Sequence, residues 1–203
     1  MSYPKTWILL VTDGSQGDIT AASNASRLKW KGQMDPVYGC VGPDATSDRR
    51  LLGNRPSAFL DGDASELRHL TGQDRLYVVG HGSFGASPVL GGLDAGQLAQ
   101  YLFDSGLREV AVISLVSCNS GWGWGDMLPG SIPKGYANAT QHPFGHLLAD
   151  ELSSLGIHAA IRARVGYVTV MKTGRKVVEF TEMSFVNKFI WAPKGYNKRT
   201  WYS

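Results

Sequence analysis

Two stretches decide how this chain folds: RLYVVGHGS at residues 75–83 and VAVISLVSCNSG at residues 110–121. In the first, Leu76 to Val79 run straight into Gly80-His81-Gly82; in the second, Val110 to Val116 run into Ser117-Cys118. Continuous apolar runs of this kind mark parallel strands buried on both faces. Open α/β sheets place their chemistry at the carboxyl ends of such strands. A His and a Cys delivered to one sheet edge supply a base and a nucleophile, so thiol-based acyl transfer is the first expectation.

The flanking sequence supports an α/β sheet. Trp7 to Val11 reads as a first strand, and the polar turn DGSQGD leads to a helix over about Ile19 to Leu28 that Asp18 would cap. Residues 31 to 74 are rich in Gly, Pro and Asp; a second strand at Val37 to Val41 and a small hairpin near Ala58 to Leu60 are expected there. Leu93 to Leu107 has helical spacing that Gly106 interrupts. A further helix is expected over Pro143 to Leu155, stopped by Gly156. His158 to Met171 alternates, turns at Lys172-Thr173-Gly174 and returns as Lys176 to Phe180. The tail from Glu182 is aromatic and basic and reads as a β-rich flap. Strands alternating with helices predict a mostly parallel sheet covered on both faces.

Composition narrows the function classes. The 203 residues suit a single domain, with a core over about 5–180 and a flap and tail over about 165–203. A net charge of +3 does not point to nucleic acid. The basic residues do cluster, at Arg27, Lys29 and Lys31 and again from Arg162 onward. No apolar run reaches the roughly 20 residues that span a bilayer, and MSYPKTWILLV lacks the cleavage site of a signal peptide. The two cysteines, Cys40 and Cys118, form neither a disulfide framework nor a CxxC zinc motif, so no metal is expected. Cys40, in YGCVGP, reads as a small semi-buried hydrophobe, leaving Cys118 for thiol chemistry.

The small polar residues Ser117, Asn119, Ser120 and Gly121 end the strand and open the thiol to a loop. The glycines beside His81 place that residue on an exposed turn with close backbone approach. The backbone N–H groups of Gly82 and Cys118 are the expected oxyanion hole.

Gly80-His81-Gly82 and ISLVSC, with Cys118 37 residues after His81, resemble the His-Gly and Cys motifs of caspase-fold (clan CD) peptidases. QGDITAASNAS, ISLVSCNS, PFGHLL and RVGYVTVMKTGRK further resemble, in order from residue 16 to 176, blocks of the autoprocessing cysteine protease domain of bacterial RTX (MARTX) toxins and large clostridial glucosylating toxins. The resemblance implies a caspase-like three-layer sandwich with a C-terminal β-flap. It implies that Asp18, the acid of the QGD block, orients His81, with Asp13 as the fallback. It implies allosteric activation by inositol hexakisphosphate, for which Arg164, Arg175 and Lys176 on the matching block, and Lys29 or Lys31 from the first helix, are the candidate ligands. It implies cleavage after leucine. Clostripain-like relatives carry an acid two residues before the Cys to read a basic residue; Val116 stands there in this chain.

The partners that follow are a polypeptide, with the parent chain itself among the candidates, and a polyanionic inositol phosphate. A monomer is expected, of bacterial origin and secreted or delivered into the cytosol of a target cell. The loop GWGWGDMLPGSIPKG has no counterpart in the resemblance; it reads as a substrate wall or lid, or as a surface loop pinned by Trp122 and Trp124. Because the chain starts at Met1 without flanking toxin segments, both an excised domain and a stand-alone protease acting in trans are open. Three rival readings remain. Cys118 could pair with His158 as in amidases of the NlpC/P60 type, on the strength of GIHAAI. Ser83 could act as a serine nucleophile, although His81 stands where the nucleophile elbow wants Gly. The third is a non-catalytic polyphosphate-binding module.

Overall fold

A computed structural model describes residues 3–13, 17–32, 40–41, 64–83, 87–118, 120–121, 142–164, 167–171, 176–179 and 198–203. The strands are β1 (Thr6–Val11), β2 (Cys40–Val41), β3 (Arg75–Gly80), β4 (Gly82–Ser83), β5 (Val89–Leu90), β6 (Glu109–Val116), β7 (His158–Arg164), β8 (Tyr167–Val170), β9 (Lys176–Glu179) and β10 (Lys198–Tyr202). The helices are α1 (Gly17–Gly32), α2 (Ala95–Asp104) and α3 (Phe144–Ser154), with a short 3-10 turn at Ala64–His69.

Six strands form one sheet in the order β10-β7-β6-β3-β1-β2. Its neighbours from β2 to β7 all pair in parallel; β10 closes the edge antiparallel to β7. The period-two alternation of each strand divides the core between two faces. Leu9, Leu76, Val78, Ile113 and Leu115 pack with α2 and α3 on one face. Ile8, Leu10, Tyr77, Val79 and Val116 pack with Ala21, Ala25 and Leu28 of α1, and with Val168 and Val170 of β8, on the other. This is the expected α/β sandwich, a mostly parallel sheet between layers of helix.

Local chemistry sets the boundaries. Asp94 starts α2 with a capping box: its Oδ1 accepts from Gln97 N–H at 2.7 Å, and Gln97 Oε1 accepts from Asp94 N–H at 3.0 Å. The helix therefore begins two residues later than Leu93. Pro143 occupies the N-cap of α3 rather than its first turn. Helix α1 already includes Gly17, so Asp18 lies within its first turn instead of capping it.

Two expectations are revised. His158 to Met171 is not one alternating strand: β7 belongs to the main sheet, whereas β8 pairs antiparallel with β9 in a separate hairpin. Arg164 ends β7, and its carbonyl accepts the Gly121 N–H at 2.8 Å. The end of the tail is likewise not part of a flap. As β10 it covers the sheet edge, where Trp201 packs against the core beside Ile161 and Gly145. The expected hairpin at 58–60, the Trp/Gly loop from 122, Lys172-Thr173-Gly174-Arg175 and the tail segment 182–197 lie outside the described residues.

Candidate active site

Strands β3 and β6 run side by side in register, Val79 opposite Val116; β6 ends there and β3 one residue later, at Gly80. Their continuations meet. A Cβ placed on Gly82 would collide with Ser117 Oγ and with the Cys118 carbonyl oxygen, so only a glycine lets the two strand ends lie this close. His81 is thus held in the backbone segment that lies against Ser117-Cys118. Tyr77 and Val79 of β3 and Val116 of β6 face α1, and His81 and Cys118 follow within two residues of these strand positions.

The backbone around His81 is fixed by a hairpin that the sequence did not announce. Gly82 and Ser83 of β4 pair antiparallel with Leu90 and Val89 of β5. Gly91, at φ +56°, donates its N–H to the His81 carbonyl at 2.7 Å and lies against Val11 at the end of β1. His81 is exposed and Cys118 half-buried. On the Cys118 side, Ser120 Oγ donates to the Ser117 carbonyl at 3.3 Å, and the Ser120 carbonyl accepts the Gly145 N–H from α3 at 2.9 Å. The loop after the nucleophile is thereby tied to both α3 and β7.

Burial pushes the Cys118 thiol up, against the lowering effect of a hydrogen bond from the Val168 backbone. In this state the thiol stays protonated at neutral pH. The Val168 contact places β8 directly on the nucleophile. The same strand is bound to α1: Asn24, buried, donates Nδ2 to the Val168 carbonyl at 3.3 Å and accepts the Val170 N–H at 2.9 Å, and Arg27 donates to the Val170 carbonyl at 2.6 Å.

Asp18 lies in the first turn of α1, which leaves the carboxyl edge of β1, the strand beside β3. Asp13 packs against Gly92, two residues beyond β5. Lys29 and Lys31 belong to the last turn of α1; Arg175 is outside the described residues. Arg164 and Lys176 are brought close enough to act on each other electrostatically.

They belong to a larger basic cluster. Register places Tyr77, Ser114 and Arg162 in one row across β3, β6 and β7, and sets Lys198 opposite Arg164. Lys176 Nζ sits 3.9 Å from the Tyr77 ring centroid. Arg75 donates to the Tyr77 hydroxyl at 3.0 Å and lies over the Tyr3 ring at 3.9 Å, while Arg162 donates to the Tyr3 hydroxyl at 3.3 Å. Burial lowers the proton affinity of Lys176 against the raising influence of Tyr77, with Arg164 and Arg75 lowering it further. Burial, then Arg162, Arg164 and Arg75, do the same to Lys198. Among the described residues, the buried Nε atoms of Arg75 and Arg162 have no hydrogen-bond partner. Like charges set opposite one another repel, as the lowered proton affinities of Lys176 and Lys198 reflect. Sequence reading noted the basic run from Arg162 onward but assigned neither Arg162 nor Lys198 to this cluster, and it missed Arg75. Arg162 and Arg164, two apart on a strand, were the available signal that one face is basic.

His158 is excluded as the partner of Cys118. Parallel register sets it opposite Glu109, at the start of β6, and Cys118 lies nine residues further on, about 30 Å along the strand. Its Nδ1 instead faces the Ser203 carbonyl at 3.3 Å. Ser83 is exposed and engaged in the β4–β5 pairing.

A caspase-like sandwich whose parallel strands bring a glycine-flanked His and a Cys to one carboxyl edge defines a cysteine peptidase, a hydrolase. The model of the peptidase C80 family matches residues 16–179. The chain belongs to that family, the cysteine protease domains of MARTX and clostridial toxins. No curated protein matches it in a sequence comparison. Among the described residues no helix is long and apolar enough to cross a membrane.

Proposed function

We propose that this chain is an endopeptidase in which Cys118 is the nucleophile, His81 the general base and Asp18 the group that orients the imidazole. The observation that carries the reading is the contact of Gly82 with Ser117-Cys118, which keeps the His and Cys segments together at the sheet edge. His81 takes the thiol proton as Sγ attacks the scissile carbonyl, and the N–H groups of Gly82 and Cys118 receive the oxyanion. The same proton passes to the leaving amine. Water then attacks the thioester, delivering the acid product and restoring the thiol. Cleavage after leucine is supported by Val116, which is buried among apolar neighbours and offers no carboxylate to a basic side chain.

Activation by inositol hexakisphosphate belongs to the same proposal. Arg164 and Lys176, joined by Arg75, Arg162 and Lys198, form a partly buried cationic cluster of the kind that polyphosphates neutralise. Arg175, Lys29 and Lys31 remain candidate ligands. The β8–β9 hairpin carries Lys176 on one strand and the Val168 contact to Cys118 on the other. Ligand at the basic cluster would then bias the hairpin toward an arrangement that releases the protonated resting thiol. Autoprocessing of a parent chain, delivery into a target cell and action as a monomer complete the reading.

Mass-spectrometric mapping of cleavage by the full chain, with and without inositol hexakisphosphate, tests it. Cuts after leucine that increase with the polyphosphate and vanish in His81→Ala are expected. Cleavage after Lys or Arg, or activity indifferent to His81→Ala, would overturn the assignment. A chain that binds the polyphosphate yet cleaves nothing and labels with no thiol-directed peptide would be a binding module.

A further inference from the structure

We infer that His142 and His146 form a chelate site for a late first-row transition-metal ion, separate from the proposed peptidase chemistry. His142 stands just before the Pro143 N-cap of α3, and His146 lies in the first turn of that helix. Their Nδ1 atoms face each other at 3.2 Å, with the rings nearly perpendicular at 79° and centroids 4.9 Å apart. Two metal–nitrogen bonds of about 2.0–2.1 Å, in tetrahedral or right-angled arrangement, hold their donors roughly 3.0–3.4 Å apart. The separation in the protein falls in that interval.

The outer side of His146 is arranged as a ligand imidazole requires. Its Nε2 faces Asp150 Oδ2 at 3.5 Å, a pairing that keeps the proton on Nε2 and turns the Nδ1 lone pair toward His142. Trp201 lies parallel to the same ring, at 5° and 6.3 Å between centroids, which limits its rotation. Without metal, the Nδ1 proton of His142 satisfies the Nδ1 lone pair of His146. An ion takes the place of that proton, which passes through solvent to Nε2 of His142, and binds both Nδ1 atoms of the two neutral rings.

The chemistry of the site selects the ion. Two imidazoles suit copper, nickel and zinc, whereas calcium and magnesium require oxygen ligands. Helix α3 has no acidic residue in its first turn, so the positive end of its dipole opposes a cation there. Only ions with strong imidazole affinity overcome this, with copper(II) foremost in the Irving–Williams order. Among the described residues no third His, Cys, Asp or Glu converges on the pair, and His142 is exposed, so water completes the coordination. The adjoining Gly145 N–H holds the Ser120 carbonyl, so the ion sits one hydrogen bond from the loop after Cys118 without using its thiol.

Copper(II) titration of the full chain carrying Cys40→Ala and Cys118→Ala, read by electron paramagnetic resonance, tests the site free of thiol binding. One equivalent with hyperfine coupling to two imidazole nitrogens is expected, unaffected by excess calcium and yielding to zinc only in large excess. His142→Gln and His146→Gln should each weaken binding at least tenfold, Asp150→Asn by about tenfold, and His69→Gln not at all. Thermal unfolding checks each variant. Where His146→Gln unfolds, His142→Gln alone decides, since that residue is exposed and precedes the helix. Full affinity and an unchanged two-nitrogen signal in His142→Gln, displacement by calcium, or no stoichiometric binding would overturn the inference.

Discussion

At the scale of single residues, the site depends on how closely two strand ends approach. Gly82 has no room for a side chain, because Ser117 Oγ and the Cys118 carbonyl occupy that space. Gly82→Ala should therefore push the His81 segment away from Cys118. Overpacking of this kind costs about 1–3 kcal/mol; chemical denaturation should register it, with peptidase activity falling further than stability. His81→Ala should lower kcat/KM by about 10²–10⁴, the usual worth of a general base, at unchanged unfolding temperature. The thiol yields a pH prediction. Because burial raises the proton affinity of Cys118, its alkylation rate in the resting protein should climb with pH to a midpoint above the ordinary thiol range. A rate that is already flat at neutral pH would mean a preformed thiolate.

At the scale of elements, the β8–β9 hairpin connects α1, the nucleophile and the basic cluster. Asn24 holds β8 by two hydrogen bonds from a buried position. Asn24→Ala leaves the Val168 carbonyl and the Val170 N–H unsatisfied, at about 1–3 kcal/mol per buried group. Faster amide exchange over residues 167–170 than in the β6 core is the expected readout. Strands β3 and β6 were legible in the sequence because an unbroken apolar run ending in small polar residues has little other explanation. The division between β7 and β8 was not. Alternation continues across residues 158–171, and the strand is ended by a tertiary contact, the Gly121 N–H on the Arg164 carbonyl. The basic cluster was only half legible for a related reason: Arg75, Arg162 and Lys198 join Arg164 and Lys176 through cross-strand register, which no local spacing encodes.

At the scale of the whole molecule, a sheet that closes its core on two faces carries an electrostatic cost on one of them. Lys176 binds its proton less tightly in the folded chain, through burial first and then Arg164 and Arg75. The unfolded chain therefore holds more protons as pH falls through the lysine range, and that fall destabilises the fold. Lys176→Met, which keeps the stem and removes the charge, should raise the unfolding temperature at neutral pH without ligand. Saturating inositol hexakisphosphate should stabilise the wild type by about 2.7 kcal/mol at a hundred times Kd, about 5–10 °C for a chain of this size. The gain should shrink in Lys176→Met. No thermal shift in the wild type would remove the polyphosphate from the account and leave the peptidase standing.

The central claim is that Cys118 acts as a nucleophile served by His81. Labelling the full chain with an electrophilic peptide ending in leucine, in the presence of inositol hexakisphosphate, and locating the adduct by mass spectrometry tests it most directly. The account predicts a single adduct on Cys118 whose rate collapses in His81→Ala. An adduct on Cys40, or an unchanged rate at Cys118 without His81, would contradict it.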